Sequence, residues 1–304
     1  MPTSKSSLIN LSQLSIHKIE LLFEKSLKLK ANKSEVLSQA RFRGQTAALL
    51  FFEPSTRTRF SFESACARAG VHPMVLDGGV GTSLEKGETI TDTILNIEAM
   101  RPLFFIIRCD NNLDLEIVAS TVSVPVINAG WGLRGHPTQA LLDCLSLFEK
   151  WQNFQEKKIL FIGDVRHSRV VASHFELAQI LGYKIGICAP TAFLPTVTMP
   201  LSFTHFQNLS QGLEWADAVM ALRVQKERHD GSIFNVDEYR KNYGLNPNHL
   251  KHLRKNVWIM HPGPINYGIE MEQSVLADKR SLVLKQVENG VFLREAIIRN
   301  LLEE

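Results

Sequence analysis

Short apolar runs alternate along the chain with longer stretches in which apolar residues recur every three or four positions. The runs fall into two groups of four, which are TAALLFFE (46–53), HPMVLD (72–77), LFFIIRC (103–109) and SVPVINAG (123–130), then KKILFIGD (157–164), YKIGICAP (183–190), ADAVMAL (216–222) and VWIMHPGP (257–264). Nearly unbroken apolar runs of this length are typical of strands that are covered on both faces, as in a parallel sheet.

Helical patterns lie between these runs. The clearest is HPTQALLDCLSLFEKW (136–151), in which Pro137 suits a first helical turn. Its residues Leu141, Leu145 and Phe148 share one face, so an amphipathic helix is predicted.

Strand and helix alternate twice over, which predicts an α/β fold with two doubly wound parallel-sheet domains and an active-site cleft between them. The first domain is expected to span residues 1–135 and the second residues 136–288. The amphipathic segment 289–304 is expected to pack back on the first domain as a helix.

Composition narrows the class of protein. The chain has 304 residues, 44% of them apolar, and 34 basic against 31 acidic residues give a formal charge of +3. The basic residues are scattered, so neither a nucleic acid nor a membrane surface is expected as a partner. The N-terminus lacks the pattern of a signal peptide, and no apolar run approaches the roughly 20 residues of a membrane span.

The four cysteines lie far apart in apolar segments and form no CxxC pair: Cys66, Cys109, Cys144 and Cys188. This spacing favours small core residues over a disulfide framework or a zinc site. A reducing, cytoplasmic compartment is therefore predicted.

The stretch FFEPSTRTRFSFESA (51–65) ends an apolar run with hydroxyl and guanidinium side chains. Pro54 disfavours helix before it, and Ser55 or Thr56 would make a good N-cap. In parallel α/β sheets, ligands bind where strands end and helices begin. The backbone N–H groups of the helix start, the hydroxyls and Arg57 would together cradle a phosphate. The plainer alternative is a capped helix with exposed arginines.

Polar or basic side chains stand at similar positions elsewhere. They are Lys86 in the loop GTSLEKGETITDT (81–93), Arg108 at the end of IIRC, His136 and Gln139 in HPTQ, Arg166, His167 and Arg169 in GDVRHSRV, and Arg223, Gln225, Lys226 and Arg228 in LRVQKER. Each cluster alone is more often a solvated surface, a helix cap or a mobile loop than a site. Because Arg108 ends an apolar strand, a ligand or a carboxylate is expected beside it. The shared placement at strand ends predicts a polyanionic small molecule held between the two domains.

These motifs together resemble a known family. Between residues 51 and 266 the chain contains, in this order, FFEPSTRTRFSFE, KGETITDT, HPTQALLD, GDVRHSRV, LRVQKER and MHPGPIN. In this order they resemble the catalytic chains of the aspartate carbamoyltransferase family, and LRVQKER and HPGP favour aspartate over ornithine as second substrate. The resemblance implies transfer of a carbamoyl group from carbamoyl phosphate to the α-amine of L-aspartate, in pyrimidine biosynthesis, by a homotrimer that needs neither metal nor organic cofactor.

The resemblance also implies roles for individual residues. The phosphate-binding groups correspond to Ser55, Thr56, Arg57 and Thr58, with Ser83 and Lys86 contributed by a neighbouring subunit. The groups around the carbamoyl carbon correspond to Thr58, Arg108, His136, Gln139, Gly263 and Pro264. The aspartate-binding groups correspond to Lys86, Arg169, Arg223 and Gln225. The catalytic residues are expected to be Arg57, Thr58, Lys86, Arg108, His136 and Gln139.

Three positions near the expected cleft depart from the family pattern: Trp131, Arg134 and Tyr267. They indicate either a local repacking or altered closure and kinetics. Two alternatives stay open, a carbamoyltransferase for another amine such as ornithine and a non-catalytic relative that binds carbamoyl phosphate. Regulatory chains or a dihydroorotase could join the trimer. A nucleotide-dependent dehydrogenase would suit the sheets, but no GxGxxG follows either first strand.

Overall fold

The structure is a computed structural model that describes residues 7–31, 42–78, 81–195, 202–224 and 235–303. The chain divides into two compact units, Met1–Leu142 with Val287–Glu304, and Asp143–Gln286. The chain crosses between the units twice, after Leu142 and after Gln286, and each crossing lies inside a helix.

Four parallel strands form the sheet of the first unit. They are β1 (Thr46–Phe51), β2 (His72–Asp77), β3 (Phe105–Cys109) and β4 (Val126–Trp131). Their spatial order is β2-β1-β3-β4. The inner strands β1 and β3 are buried almost throughout, whereas the edge strand β2 is exposed or half-buried at every position. The prediction that β2 is covered on both faces is therefore wrong.

Five parallel strands form the sheet of the second unit. They are β5 (Lys158–Ile162), β6 (Lys184–Cys188), β7 (Phe203–Phe206), β8 (Ala218–Ala221) and β9 (Trp258–Met260). Their spatial order is β7-β6-β5-β8-β9. The sequence pattern did not predict β7, a short edge strand without a buried residue. The two sheets confirm the predicted α/β class with two parallel-sheet domains.

Helices cover these sheets. In chain order they are α1 (Ile16–Ala31), α2 (Thr56–Arg68), α3 (Ile90–Glu98), α4 (Leu115–Thr121), α5 (Pro137–Trp151), α6 (Arg169–Leu181), α7 (Leu209–Trp215), α8 (Val236–Tyr243), α9 (Pro247–His252), α10 (Gln273–Leu276) and α11 (Val283–Glu303). Helix α5 is buried all round as far as Leu147, so the prediction of a single apolar face understates its burial. None of the helices that the structure describes has the length and apolar content of a membrane span.

The last helix, α11, contacts two helices from the N-terminal part of the chain, α1 and α2. Glu295 of α11 pairs with Arg68 of α2, with Nε and Oε2 2.6 Å apart. Near its end, Glu303 pairs with Lys25 of α1, with the ammonium 2.6 Å from the carboxylate. The first unit is therefore assembled from both ends of the described chain.

In each sheet the chain order reverses between two central strands. The first sheet continues from β1 to β2 on one side and from β3 to β4 on the other, and the second sheet reverses in the same way between β5 and β8. Such a reversal opens a crevice at the carboxyl ends of the two central strands, where doubly wound sheets bind ligands. The turns after β1, β3, β5 and β8 are therefore the expected binding positions.

All four cysteines are buried thiols: Cys66, Cys109, Cys144 and Cys188. Burial raises the pKa of the Cys66 and Cys188 thiols to about 12 and that of Cys144 well above its usual value. We therefore expect the folded protein to react only slowly with Ellman's reagent near neutral pH, because thiolates are the reactive species. After denaturation all four thiols should react at once. A thiol that reacts rapidly in the native protein would contradict this burial.

Candidate functional site

The turn between β1 and α2 places polar groups at the first crevice. Ser55 occupies the N-cap with extended backbone (φ −163°, ψ 92°), but its hydroxyl makes no capping hydrogen bond. The Arg59 N–H donates to the Ser55 carbonyl at 3.1 Å, so the N–H groups before it have no intrahelical acceptor. Thr56 and Arg57 are exposed, and Thr58 is 7% exposed. Backbone donors, hydroxyls and a guanidinium at a helix N-terminus form an arrangement suited to a phosphate.

The two arginines of this turn differ in their partners. Arg59 pairs with Glu63, with Nε and Oε1 2.7 Å apart, and also with Asp77. The Arg59 guanidinium is therefore paired with two protein carboxylates. Arg57 is exposed on the first turn of α2.

Arg108 ends β3 beside this turn. The Phe52 N–H donates to the Arg108 carbonyl at 2.9 Å, which continues the pairing of β1 with β3. The Arg108 side chain is 14% exposed, and its Nε lies 3.9 Å from Glu53 Oε2. The sequence predicts a ligand or a carboxylate beside Arg108, and the Glu53 carboxylate lies there and offsets part of the cost of burying the charge.

His136 and Gln139 stand at the start of α5, which follows β4. Their side chains are 4% and 9% exposed. The Trp131 N–H at the end of β4 donates to the Gly135 carbonyl at 2.9 Å, so the loop before His136 is tight. Because β4 pairs with β3 in parallel, His136 lies at the same edge of the sheet as Arg108.

Two of the three departures from the family pattern contact each other in this loop. The Arg134 guanidinium lies 4.4 Å from the centroid of the Trp131 ring and 3.3 Å from the Asp114 carboxylate. The third departure, Tyr267, is 52% exposed.

Ser83 and Lys86 bound a single 3₁₀ turn between β2 and α3, and both are exposed. The Thr82 hydroxyl accepts from the Leu84 N–H at 3.3 Å. Gly87 ends the turn with φ +94°, a conformation that favours glycine.

Arg169 and Arg223 follow the two central strands of the second sheet. Arg169 begins α6, whose N-cap is Ser168, and Arg223 lies just beyond β8. Both arginines are half-buried. Because β5 and β8 are adjacent and parallel, the turns that carry them share one edge, which suits a dicarboxylate. Three further predicted residues lie outside the described residues: Gln225, Lys226 and Arg228.

The Gly263–Pro264 segment follows β9 and is fixed by a chain of buried polar groups. The Gly263 N–H donates to His261 Nδ1 at 2.8 Å, and the His261 N–H donates to Gln286 Oε1 at 3.0 Å. Gln286 Nε2 in turn donates to Asp143 Oδ1 at 2.7 Å. The sequence analysis missed Gln286 and Asp143. The one available signal was a carboxylate at position 143 between the apolar residues of α5.

A second carboxylate contacts the ring of His261. Glu270 Oε1 lies 3.5 Å from His261 Nε2 and accepts from the Asn266 N–H at 2.6 Å. Because His261 Nδ1 accepts the Gly263 N–H, the neutral ring carries its proton on Nε2, which faces Glu270. One ring nitrogen of His261 thus accepts the Gly263 N–H, and the other lies beside the Glu270 carboxylate.

The described residues contain no group of three or more His, Cys, Asp or Glu side chains arranged to hold a metal ion. The hydrogen-bond donors and guanidinium groups at the two crevices suit the binding of anions.

Comparisons with known proteins divide the chain in a similar way. Residues 6–149 match the aspartate/ornithine carbamoyltransferase carbamoyl-P binding domain, and residues 155–301 match the Asp/Orn binding domain. The aspartate carbamoyltransferase catalytic subunit of Helicobacter pylori (strain Shi470) is 42% identical over 311 residues, which cover 99% of each chain. Two solved structures are similar over nearly the whole chain.

One is aspartate transcarbamoylase from Trypanosoma cruzi in complex with carbamoyl phosphate and aspartate, with a TM-score of 0.85 and 26% identity over 98% of this chain and 95% of that chain. The other is ornithine carbamoyltransferase from Thermus thermophilus, with a TM-score of 0.82 and 26% identity over 99% of this chain and 100% of that chain. The backbone alone therefore does not distinguish the two acceptor amines.

We expect Gln286→Leu to lower the free energy of unfolding by about 2–4 kcal/mol, because the buried Asp143 carboxylate and the His261 N–H each lose a hydrogen-bond partner. Urea denaturation followed by circular dichroism measures the change. Gln211→Leu, on an exposed position of α7, is the control and should change stability by less than about 0.5 kcal/mol. Equal stability of the two variants would contradict the role of this hydrogen-bond chain.

Proposed function

The chain belongs to the aspartate/ornithine carbamoyltransferase family, and on that premise we propose that it transfers the carbamoyl group of carbamoyl phosphate to the α-amine of L-aspartate. The products are N-carbamoyl-L-aspartate and phosphate. The reaction belongs to de novo pyrimidine (UMP) biosynthesis. The relative that is 42% identical over nearly the full length is named for this activity.

The observation that carries the proposal is the placement of arginines at the crevices of both sheets. Arg57 and Arg108 follow β1 and β3, and Arg169 and Arg223 follow β5 and β8. The two substrates together carry one phosphate and two carboxylates. Three of these guanidinium groups are assigned to the three anions, Arg57 to the phosphate and Arg169 and Arg223 to the carboxylates, and Arg108 is assigned to the carbamoyl oxygen. Ornithine has a cationic side chain, which Arg169 and Arg223 would repel.

Carbamoyl phosphate binds the first unit in this proposal. Its phosphate accepts hydrogen bonds from the N–H groups at the start of α2, from the hydroxyls of Ser55 and Thr56, and from Arg57. The helix N-terminus adds a positive electrostatic potential that falls off within the first turn. The phosphate is thereby held as the dianion that must later depart.

The carbamoyl group is oriented by a separate set of donors and acceptors. Thr58, Arg108 and His136 donate to its oxygen, and Gln139 and the Gly263–Pro264 backbone face its nitrogen. Aligned donors stabilise the negative charge that develops on the oxygen, and removing one such donor typically lowers the rate about 100- to 1000-fold.

The second substrate supplies the nucleophile. Arg169 binds the α-carboxylate of aspartate, and Arg223 binds the β-carboxylate together with Gln225, which lies outside the described residues. Lys86 contacts both the phosphate and aspartate. Because the amine is already held beside the carbamoyl group, the entropy cost of bringing the two substrates together is met on binding. Positioning the amine thereby lowers the entropic part of the activation barrier.

The chemical step needs no nucleophile from the protein. The deprotonated amine attacks the carbamoyl carbon and forms a tetrahedral intermediate, whose oxyanion the donors stabilise. Collapse of the intermediate breaks the bond between the carbon and the phosphate oxygen. The departing phosphate takes the proton that the amine loses, so the enzyme regains its starting protonation state.

We further propose a homotrimer in which Ser83 and Lys86 act in the site of a neighbouring subunit. Both residues are exposed on their turn. The first unit also exposes large apolar side chains on α2, on β2, on α3 and in the turn after α3: Phe60, Val75, Leu95 and Met100. We place the protein in the cytoplasm, because four buried, reduced thiols suit a reducing compartment.

The purified protein should convert carbamoyl phosphate and aspartate into carbamoyl-aspartate in a colorimetric ureido assay. With ornithine in place of aspartate, the rate should fall to less than about one hundredth, because a cationic side chain would face two arginines. Faster formation of citrulline would identify the other amine as substrate. Binding of carbamoyl phosphate without product from either amine would identify a non-catalytic relative.

Arg57→Ala should lower turnover by about 100- to 1000-fold, because the phosphate loses a charge-assisted hydrogen bond. The side chain is exposed, so the melting temperature should change by less than about 3 °C. Arg59→Ala is the matched control in the same turn and should keep its phosphate affinity within about threefold, since Arg59 pairs with protein carboxylates. An Arg57→Ala enzyme with normal turnover would refute the phosphate assignment.

A further inference from the structure

Arg294 is a buried arginine of α11 that contacts both α2 and α5. The residue is 3% exposed. Its Nη1 donates to Ser61 Oγ of α2 at 2.7 Å, and its Nη2 donates to Thr138 Oγ1 of α5 at 3.4 Å. The guanidinium carbon also lies 4.8 Å from the centroid of the Phe62 ring. One side chain thus joins the two helices that begin at the proposed carbamoyl phosphate site.

The two hydroxyls lie next to residues that we assign to the substrate. Ser61 follows Arg57 by four positions and Thr58 by three, and helical residues at these spacings have Cβ atoms about 5–6 Å apart. Thr138 directly precedes Gln139. A shift of α2 against α5 would therefore move the phosphate donors relative to the groups that orient the carbamoyl group.

Gly290 leaves space for this guanidinium. It lies four residues before Arg294 on α11, and a Cβ at Gly290 would lie 2.9 Å from Arg294 Nη1 and 3.1 Å from Leu142 Cδ2. Glycine weakens the interior of a helix relative to alanine. Glycine at position 290 therefore leaves room for the Arg294 guanidinium, although alanine would stabilise the helix more.

We propose that Arg294 is a positioning residue for carbamoyl phosphate, which fixes the start of α2 relative to the start of α5 through Ser61 and Thr138. This inference rests on the proposed function and concerns the same site. The guanidinium is a rigid planar fork that holds two acceptors at a set separation, whereas a lysine ammonium is a single flexible point of contact. Arg294 acts through the two helices and not on the substrate itself.

Arg299 on the same helix provides a matched control. It is 7% exposed, pairs with Glu295 at 2.7 Å, and donates to the Arg68 carbonyl at 3.2 Å. Arg68 is the last residue of α2, so this contact lies about 18 Å along the helix from its start. Arg299 thus matches Arg294 in residue type, burial and helix, but not in proximity to the proposed site.

The test compares Arg294→Lys with Arg299→Lys by calorimetric titration with inorganic phosphate and by steady-state kinetics, at a temperature well below the melting transition. Arg294→Lys should raise the phosphate Kd and the KM for carbamoyl phosphate by about 10- to 100-fold, with a smaller change in the KM for aspartate. Arg299→Lys should change the phosphate Kd by less than about threefold. A residue that only stabilises the fold would not change the affinity of the folded enzyme.

Unchanged phosphate affinity in a cooperatively melting Arg294→Lys protein would overturn the inference. An equal loss in both lysine variants would also overturn it, because the loss would then reflect a general weakening of α11. If Arg294→Lys does not fold, the Gly290→Ala variant provides the test. It keeps the charge of Arg294 and stabilises the helix, but its Cβ displaces the guanidinium. It should raise the phosphate Kd about tenfold, and an unchanged Kd counts against the inference.

Failure of the proposed function would give a different result. The wild-type protein would then bind phosphate but form no carbamoyl-aspartate, while the titrations would still compare the variants. If the wild-type protein binds no phosphate at all, the positioning role and the proposed function both fail.

Discussion

Parallel strand pairing is the constraint on which the rest of the structure depends. Because the strands of each sheet run in one direction, every helix that follows a strand starts from the same edge. The pairing of β1 with β3 puts Phe51 level with Arg108, and that of β5 with β8 puts Ile162 level with Ala221. Residues that are far apart in sequence are thereby brought to one crevice, and the chemistry of the protein is concentrated in a few turns.

The central strands could be predicted because burial on both faces leaves a continuous apolar run, as in β3 and β5. Two of the four edge strands, β2 and β7, show where the rule fails. Strand β2 has an apolar sequence but lies at an edge, and β7, with the sequence FTHF, is too short and too polar to resemble a buried strand. An edge position depends on the order of the whole sheet, which the sequence of one strand does not encode.

The start of α2 shows how far sequence reasoning reaches into the site. Proline and hydroxyl residues specify where the helix begins, so the N-cap could be narrowed to Ser55 or Thr56, of which Ser55 occupies it. Partners distant in sequence could not be derived in this way. The alternating arginines of the motif look alike, yet Arg59 pairs with Asp77 across the sheet edge. The hydrogen bond from Gln286 to Asp143 likewise depends on how helices pack, which local patterns do not report.

The contacts of α11 determine when the first unit can be completed. Ser61 and Arg68 of α2 are bound by Arg294 and Glu295, which the ribosome adds only after it has made the entire second unit. During synthesis α2 and its sheet emerge first and must persist without these partners, although domains commonly fold in the order of their emergence. The first unit to be translated therefore cannot reach its final packing until the chain of the second unit has been made.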